Sequence, residues 1–204
     1  TLDLSFNAIG ADGARFLSSN SSWPHLETLI LHNNAIGDGG ARCLSQNTTW
    51  SNLRELDLQW NCISAEGAQY LGQCAHWTQL QSLNLSWNAL GYQGTKHLSE
   101  NTSWSDLRTL KLGWNKIGNE GVSYLSKNSA WTKLQSLSLE SNDIDSEGTR
   151  ELCDNAVWIS NIQELDLQSN NIGEKGAQYL SQSIKDWSKL QALNIQGNNI
   201  GSQG

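Results

Sequence analysis

The sequence predicts an α/β solenoid: an open parallel sheet backed by a row of short helices and bent into an arc. Three combs of residues predict it. An asparagine recurs in register at Asn7, Asn34, Asn61, Asn88, Asn115, Asn142, Asn170 and Asn198. A glycine recurs at Gly13, Gly40, Gly67, Gly94, Gly121, Gly148, Gly176 and Gly204. A tryptophan recurs at Trp23, Trp50, Trp77, Trp104, Trp131, Trp158 and Trp187. Self-similarity at a fixed period is the signature of stacked repeat units.

Four copies of 27 residues begin at Leu26, Leu53, Leu80 and Leu107, and two of 28 residues begin at Leu134 and Ile162. Partial copies occupy 1–25 and 190–204. No linker or change of composition separates them, so residues 1–204 read as one domain, with six full repeats and partial repeats at both ends.

Each repeat opens on L-x-x-L-x-L, whose alternation is strand periodicity. Such a strand is too short to stand alone and must pair with its counterpart in the next repeat. Identical strands stacked in one direction make a parallel sheet spaced at about 4.8 Å. The asparagine follows. Its amide carries two donors and an acceptor, enough to satisfy backbone groups where the chain leaves the sheet. Next comes I-G-x-x-G-A-x-x-L, whose Ala/Thr/Val and Leu positions, three apart, share one face of a short helix. Asp12, Glu66, Glu120 and Glu147 stand just before that helix, where its dipole favours negative charge. The N-x-x-W segment ends the helix, and its tryptophan is expected to fill the loop side of the core. A helix needs about 10 Å of lateral room and a strand about half that. The stack must therefore bend into a horseshoe arc, with a concave parallel sheet and convex helices.

The composite pattern LxxLxLxxNxIGxxGAxxL resembles the ribonuclease-inhibitor-like class of leucine-rich repeats along the whole chain. The resemblance implies a leucine-rich-repeat solenoid whose concave strand face and edges meet a protein partner. It departs from the class in two ways. The class commonly has an aliphatic residue where this chain has its recurring tryptophan. Terminal caps are also missing, since the sequence starts and stops within a repeat, and capping repeats are expected for solubility. The expectation is a segment of a longer protein, with a catalytic domain elsewhere left open.

Composition narrows the function. Apolar residues make up only 37% of the chain, so the core must be thin. A net charge of −7 with no Lys/Arg cluster argues against nucleic acid. No apolar stretch approaches a membrane span. The opening TLDLSFN already lies inside a repeat and is no signal peptide. The expected location is cytoplasmic, a host cytoplasm if the chain is a secreted bacterial effector. Cys43, Cys62, Cys74 and Cys153 occupy four different repeat positions and read as single fillers or surface thiols. His25, His32, His76 and His97 lack ligand spacing, so neither metal nor cofactor is expected. The sequons at Asn20, Asn47 and Asn101 fall in one repeated loop, and a fourth, Asn84, lies on a strand; no glycan is expected on them. No phosphate-binding glycine motif follows a strand, and no nucleophile–base set survives the register, so no enzyme is expected.

The register also sorts the outward strand positions into columns. The one just before the asparagine reads Phe6, Asn33, Trp60, Trp87, Trp114, Ser141, Ser169, Gly197. It holds the three tryptophans outside the structural comb. Exposed aromatic residues bury large area with few rotors and are enriched at binding hot spots. The candidate partner-binding residues are Phe6, His32, Asp57, Trp60, Asn84, Trp87, Lys111, Trp114 and Glu140. The competing reading is that the three tryptophans pack as a structural ladder, or were copied by duplication. A protein-interaction module is the leading expectation, its oligomeric state open. Two alternatives are the repeat region of a larger regulator (a GTPase activator or ubiquitin-ligase type) and carbohydrate recognition by the flat tryptophan faces.

Overall fold

A computed structural model describes residues 1–204. Eight strands alternate with seven helices: β1 (Leu2–Asp3), α1 (Gly10–Ser18), β2 (Thr28–Ile30), α2 (Gly37–Ser45), β3 (Glu55–Asp57), α3 (Ala65–Gly72), β4 (Ser82–Asn84), α4 (Gly91–Ser99), β5 (Thr109–Lys111), α5 (Gly118–Ser126), β6 (Ser136–Ser138), α6 (Ser146–Asn155), β7 (Glu164–Asp166), α7 (Gly173–Ser183) and β8 (Ala192–Asn194). Short 3₁₀ turns at Ile159–Asn161 and Ile184–Asp186 fall in the two 28-residue repeats and take up their extra residue. The strands form one open parallel sheet in chain order. Leu29, Leu56, Leu83, Leu110, Leu137 and Leu165 stand opposite one another across it. This is the parallel-sheet solenoid the periodicity predicts, sheet on the inner side and helices on the outer.

The core is a stack of identical layers. Ala14, Ala41, Ala68, Thr95, Val122 and Thr149 are fully buried where each helix faces the sheet. The tryptophan comb fills the loop side: Trp50, Trp77, Trp104, Trp131, Trp158 and Trp187 are buried, and Trp23 packs against them half-buried. Each buried indole removes roughly 200 Å² from water, on the order of 5 kcal/mol of gross transfer free energy. The Trp158 Nε1–H donates to the Leu125 carbonyl at 3.1 Å, whereas those of Trp50, Trp77, Trp104 and Trp131 have no partner among the described residues.

Two asparagine ladders close the ends of each layer. In the first, Asn142 Nδ2 donates to the carbonyls of Leu112 (2.9 Å) and Glu140 (3.1 Å). Its Oδ1 accepts from the backbone N–H of Asn115 (2.9 Å) and Ile117 (3.3 Å) of the preceding repeat. Asn34 and Asn61 repeat the arrangement. In the second, Asn47, Asn101 and Asn128 at the helix ends accept from the backbone N–H of the comb tryptophan and reach back to carbonyls of the repeat before. The sequon residues Asn47 and Asn101 are thus buried structural groups.

The helices differ from expectation at their starts. Most begin at the first glycine of I-G-x-x-G, so Asp12 and Glu120 lie in the first turn rather than before it, as do Glu66 and Glu147. The dipole argument holds there as well, because the unsatisfied N–H groups occupy that turn. Ser64 and Asp145 replace that glycine in two repeats, and there the loop changes. Both residues are extended, cap their own helices by accepting from Glu66 N–H and Glu147 N–H, and form a parallel bridge to the following repeat. Asp38 and Asn119 of the preceding repeats accept from their backbone N–H.

Candidate functional site

The inner face is built from the strand positions that point away from the leucines. Its middle column carries a structural duty that the sequence reading did not anticipate. Asp57 Oδ1 accepts from Gln59 N–H at 2.9 Å, Asn84 Oδ1 from Ser86 N–H at 3.1 Å, and Asp166 Oδ1 from Gln168 N–H at 3.0 Å. These are Asx turns that lead the chain out of the strand. Asn84 also donates to Asp57 Oδ2 (3.0 Å) and Gln59 Oε1 (3.1 Å), which links two repeats. Asp57 and Asn84 are therefore half-buried and partly committed to the scaffold. Lys111 is exposed, and Glu140 and His32 are half-buried. Asp3, at the same position as Asp57, is held below the usual carboxylate range by the hydroxyl and N–H of Ser5.

Charge on this face is lopsided. Asp3, Glu55, Asp57, Glu140, Glu164 and Asp166 stand on its outward columns, with Lys111 the single Lys or Arg among them. The ion pairs of the described residues lie elsewhere: Asp12–Arg15, Lys96–Glu100 and the Glu147–Arg150–Lys175 triad on the helices, Glu27–Arg54 and Asp106–Lys133 on the loop side. A groove of about 460 Å³ runs along the inner face, between Gln59 and Asn194, with Trp87, Lys111, Glu140 and Glu164 on its walls.

The tryptophan column occupies the edge of this face. Backbone N–H groups of Trp60, Trp87 and Trp114 still pair with carbonyls of the next repeat, at 3.0, 2.8 and 2.8 Å. Immediately there the backbone turns left-handed, with φ of 56°, 57° and 59°. Phe6, Asn33, Ser141, Ser169 and Gly197 share that conformation. It tips each side chain off the end of the sheet. Glycine and asparagine adopt it readily, whereas bulky residues meet a cost of about 1–2 kcal/mol. The three tryptophans stay 47, 39 and 42% exposed, and Phe6 is 68% exposed. They also touch one another: Trp87 and Trp114 are stacked (centroids 4.1 Å apart, 11° between planes), and Trp60 tilts onto Trp87 (5.1 Å, 58°). Phe6 meets His32 edge-on at 4.3 Å. The structure therefore brings the candidates together as two neighbouring strips, one aromatic and one polar. The tryptophans form a ladder and are at the same time open to solvent.

Two recesses adjoin the strip. One of about 380 Å³ lies between Asn33, Trp60, Cys62 and Trp87. The larger, about 700 Å³, lies beyond Trp114, where the column changes to Ser141 and Ser169. Asn33 and Gly197 were the readable hint of the left-handed turn, because they are the residue types that tolerate it.

Comparison with known proteins places the chain in context. A family model described as Leucine Rich repeat matches residues 1–18, 24–45, 51–72, 78–99, 105–126, 132–153, 159–181 and 188–204. No curated protein matches the sequence. Among solved structures, the chain is similar to one described as leiomodin-1 actin-binding site 2, with a TM-score of 0.52 and 12% identity over 88% of each chain. At that identity the likeness is one of fold. No helix is long and apolar enough to cross a membrane.

Proposed function

The chain belongs to the leucine-rich-repeat family, and on that premise we propose that it is a protein-binding module that engages its partner through the inner strand face and the tryptophan edge. One observation carries the reading. Three exposed tryptophans sit at left-handed positions where smaller residues would be easier to hold, and the same column reverts to serine and glycine in later repeats. Strain kept at an exposed position motivates a functional role. Aromatic anchors beside polar, charged surface are the usual make-up of an interface centre and its rim. Phe6 and His32 extend the anchor strip, and Asp57, Asn84, Lys111 and Glu140 supply the polar border. The 27- and 28-residue periods favour the ribonuclease-inhibitor-like class, and the role is binding without catalysis, in a cytoplasmic setting. The similar leiomodin-1 structure is described as an actin-binding site; that description supports protein binding in general and leaves the partner of this chain to its own residues.

The test is affinity capture from a cell lysate with the wild-type chain and with Trp60→Asn/Trp87→Asn/Trp114→Asn. Asparagine already occupies the same column at Asn33 with φ 54°, so the backbone is kept. Loss of captured protein with an unchanged melting temperature is expected. A variant that captures the same proteins at the same yield would remove the edge from the site.

A further inference from the structure

We propose that the open end of the tryptophan ladder is an arginine slot, and that the partner segment lying on this edge is basic. The proposal rests on the reading of the edge as a partner contact and specifies what that contact accepts. Trp87 covers one face of Trp114 at 4.1 Å. The opposite face looks toward the next repeat, where Ser141 and then Ser169 stand in place of tryptophan. Short side chains there leave a slot of about 700 Å³, bounded by Trp114, Lys116, Ser141, Asp143 and Ser169 and reaching back to Asn88, Ala89 and Gly91 on the turn of the preceding repeat. A flat group entering it continues the stack.

Charge selects among flat groups. Asp143 stands on the slot wall, and Glu140, next to Ser141 in the chain, lines the adjoining groove of the inner face. Neither carboxylate is in an ion pair among the described residues. The adjoining inner face adds Asp57, Glu164 and Asp166 against Lys111. The cation facing the slot is Lys116, exposed on a left-handed turn. A guanidinium satisfies both demands, because it is planar, stacks on an indole and presents paired donors to carboxylates. A lysine ammonium answers the charge but not the stack. A neutral sugar answers the stack but leaves the carboxylates unused.

Binding is read by tryptophan fluorescence and calorimetry with two probes of equal charge, octa-arginine and octa-lysine, at low and high salt. Octa-arginine is expected to bind about tenfold tighter than octa-lysine, the margin that a stacked, forked contact adds over a point charge. Trp114→Asn should erase that margin while leaving octa-lysine binding unchanged. Asp143→Asn should weaken both peptides, and Lys116→Glu should tighten both. Equal affinity for the two peptides, or a margin that survives Trp114→Asn, overturns the proposal, as does tight binding of a neutral oligosaccharide that Trp114→Asn abolishes. The two readings fail separately. If the triple asparagine variant loses its lysate partner while the arginine margin is absent, the edge is a contact but not an arginine slot.

Discussion

Replacing Asn142 with alanine strips hydrogen bonds from four backbone groups at once. The side chain is fully buried. Its Oδ1 serves the N–H of Asn115 and Ile117, and its Nδ2 serves the carbonyls of Leu112 and Glu140. Alanine serves none of them. The carbonyls keep other donors, Asn115 Nδ2 on Leu112 and Trp114 N–H on Glu140, so the two N–H groups are the ones orphaned, each at a cost of about 1–3 kcal/mol. The Ile117 contact at 3.3 Å is the weakest of the set. The expected loss is about 3–5 kcal/mol, among the largest a single substitution gives. Urea unfolding measures it through the transition midpoint. Asn7 is the internal control. It is exposed, donates only to Leu4 and Ser5 carbonyls and accepts nothing within the chain, so Asn7→Ala should cost about 1 kcal/mol or less. If Asn142→Ala is no more harmful than Asn7→Ala, the ladder does not hold the layers together and the reasoning fails.

Three further outcomes follow from the same structure. Trp158→Phe breaks the indole bond to Leu125, whereas Trp77→Phe removes a buried N–H that has no partner, so the first should lower stability by about 1–2 kcal/mol more than the second in parallel melts. Within one repeat, Gly118→Ala meets no atom within 4 Å and should cost only the left-handed backbone preference, about 1–2 kcal/mol, while Gly121→Ala drives its Cβ to 2.2 Å from Ile117 Cγ2 and should cost more; denaturation midpoints in the reverse order would contradict this. Burial pushes the Cys153 thiol up to about 11, and Cys74 is raised by burial too, while Cys62 is exposed. At pH 8 alkylation mapped by mass spectrometry should find Cys62 first, and the Cys153 rate should still be climbing at pH 10, since thiolate rather than thiol reacts.

The periodic parts of the molecule were legible because stacking makes one position the environment of the next. A leucine above a leucine, or an asparagine above an asparagine, states its role by recurring, and the buried tryptophans could be placed on the loop side for that reason. What breaks the period was harder to read. Ser64 and Asp145 look like ordinary substitutions for glycine, yet a non-glycine residue there gives up the left-handed turn and makes a cap and a bridge instead. The helix starts were placed three residues late in the repeats that keep the glycine. Asp57 looked free because its column faces outward; its bond to Gln59 N–H depends on a turn that only backbone angles reveal. The left-handed conformation of Trp60, Trp87 and Trp114 runs against the preference of tryptophan, so only Asn33 and Gly197 elsewhere in the column hint at it. Their exposure followed from the register alone, but the 4.1 Å stack and the slot beyond Trp114 needed coordinates.

The first asparagine ladder has a direction. The amide of each repeat completes the turn of the repeat before it, as Asn142 does for Asn115 and Ile117. At the strand ends the sheet bonds run the same way, from an N–H in one repeat to a carbonyl in the next, as in Trp87 to Gly113 and Trp114 to Glu140, whereas at the strand starts they run back, as in Ser82 to Arg54. A chain leaving the ribosome therefore cannot finish a turn when that turn emerges. Its partner amide lies about one repeat, 27 or 28 residues, further along the chain and is not yet made. Each layer waits for its successor, and folding during translation trails the growing end by one repeat.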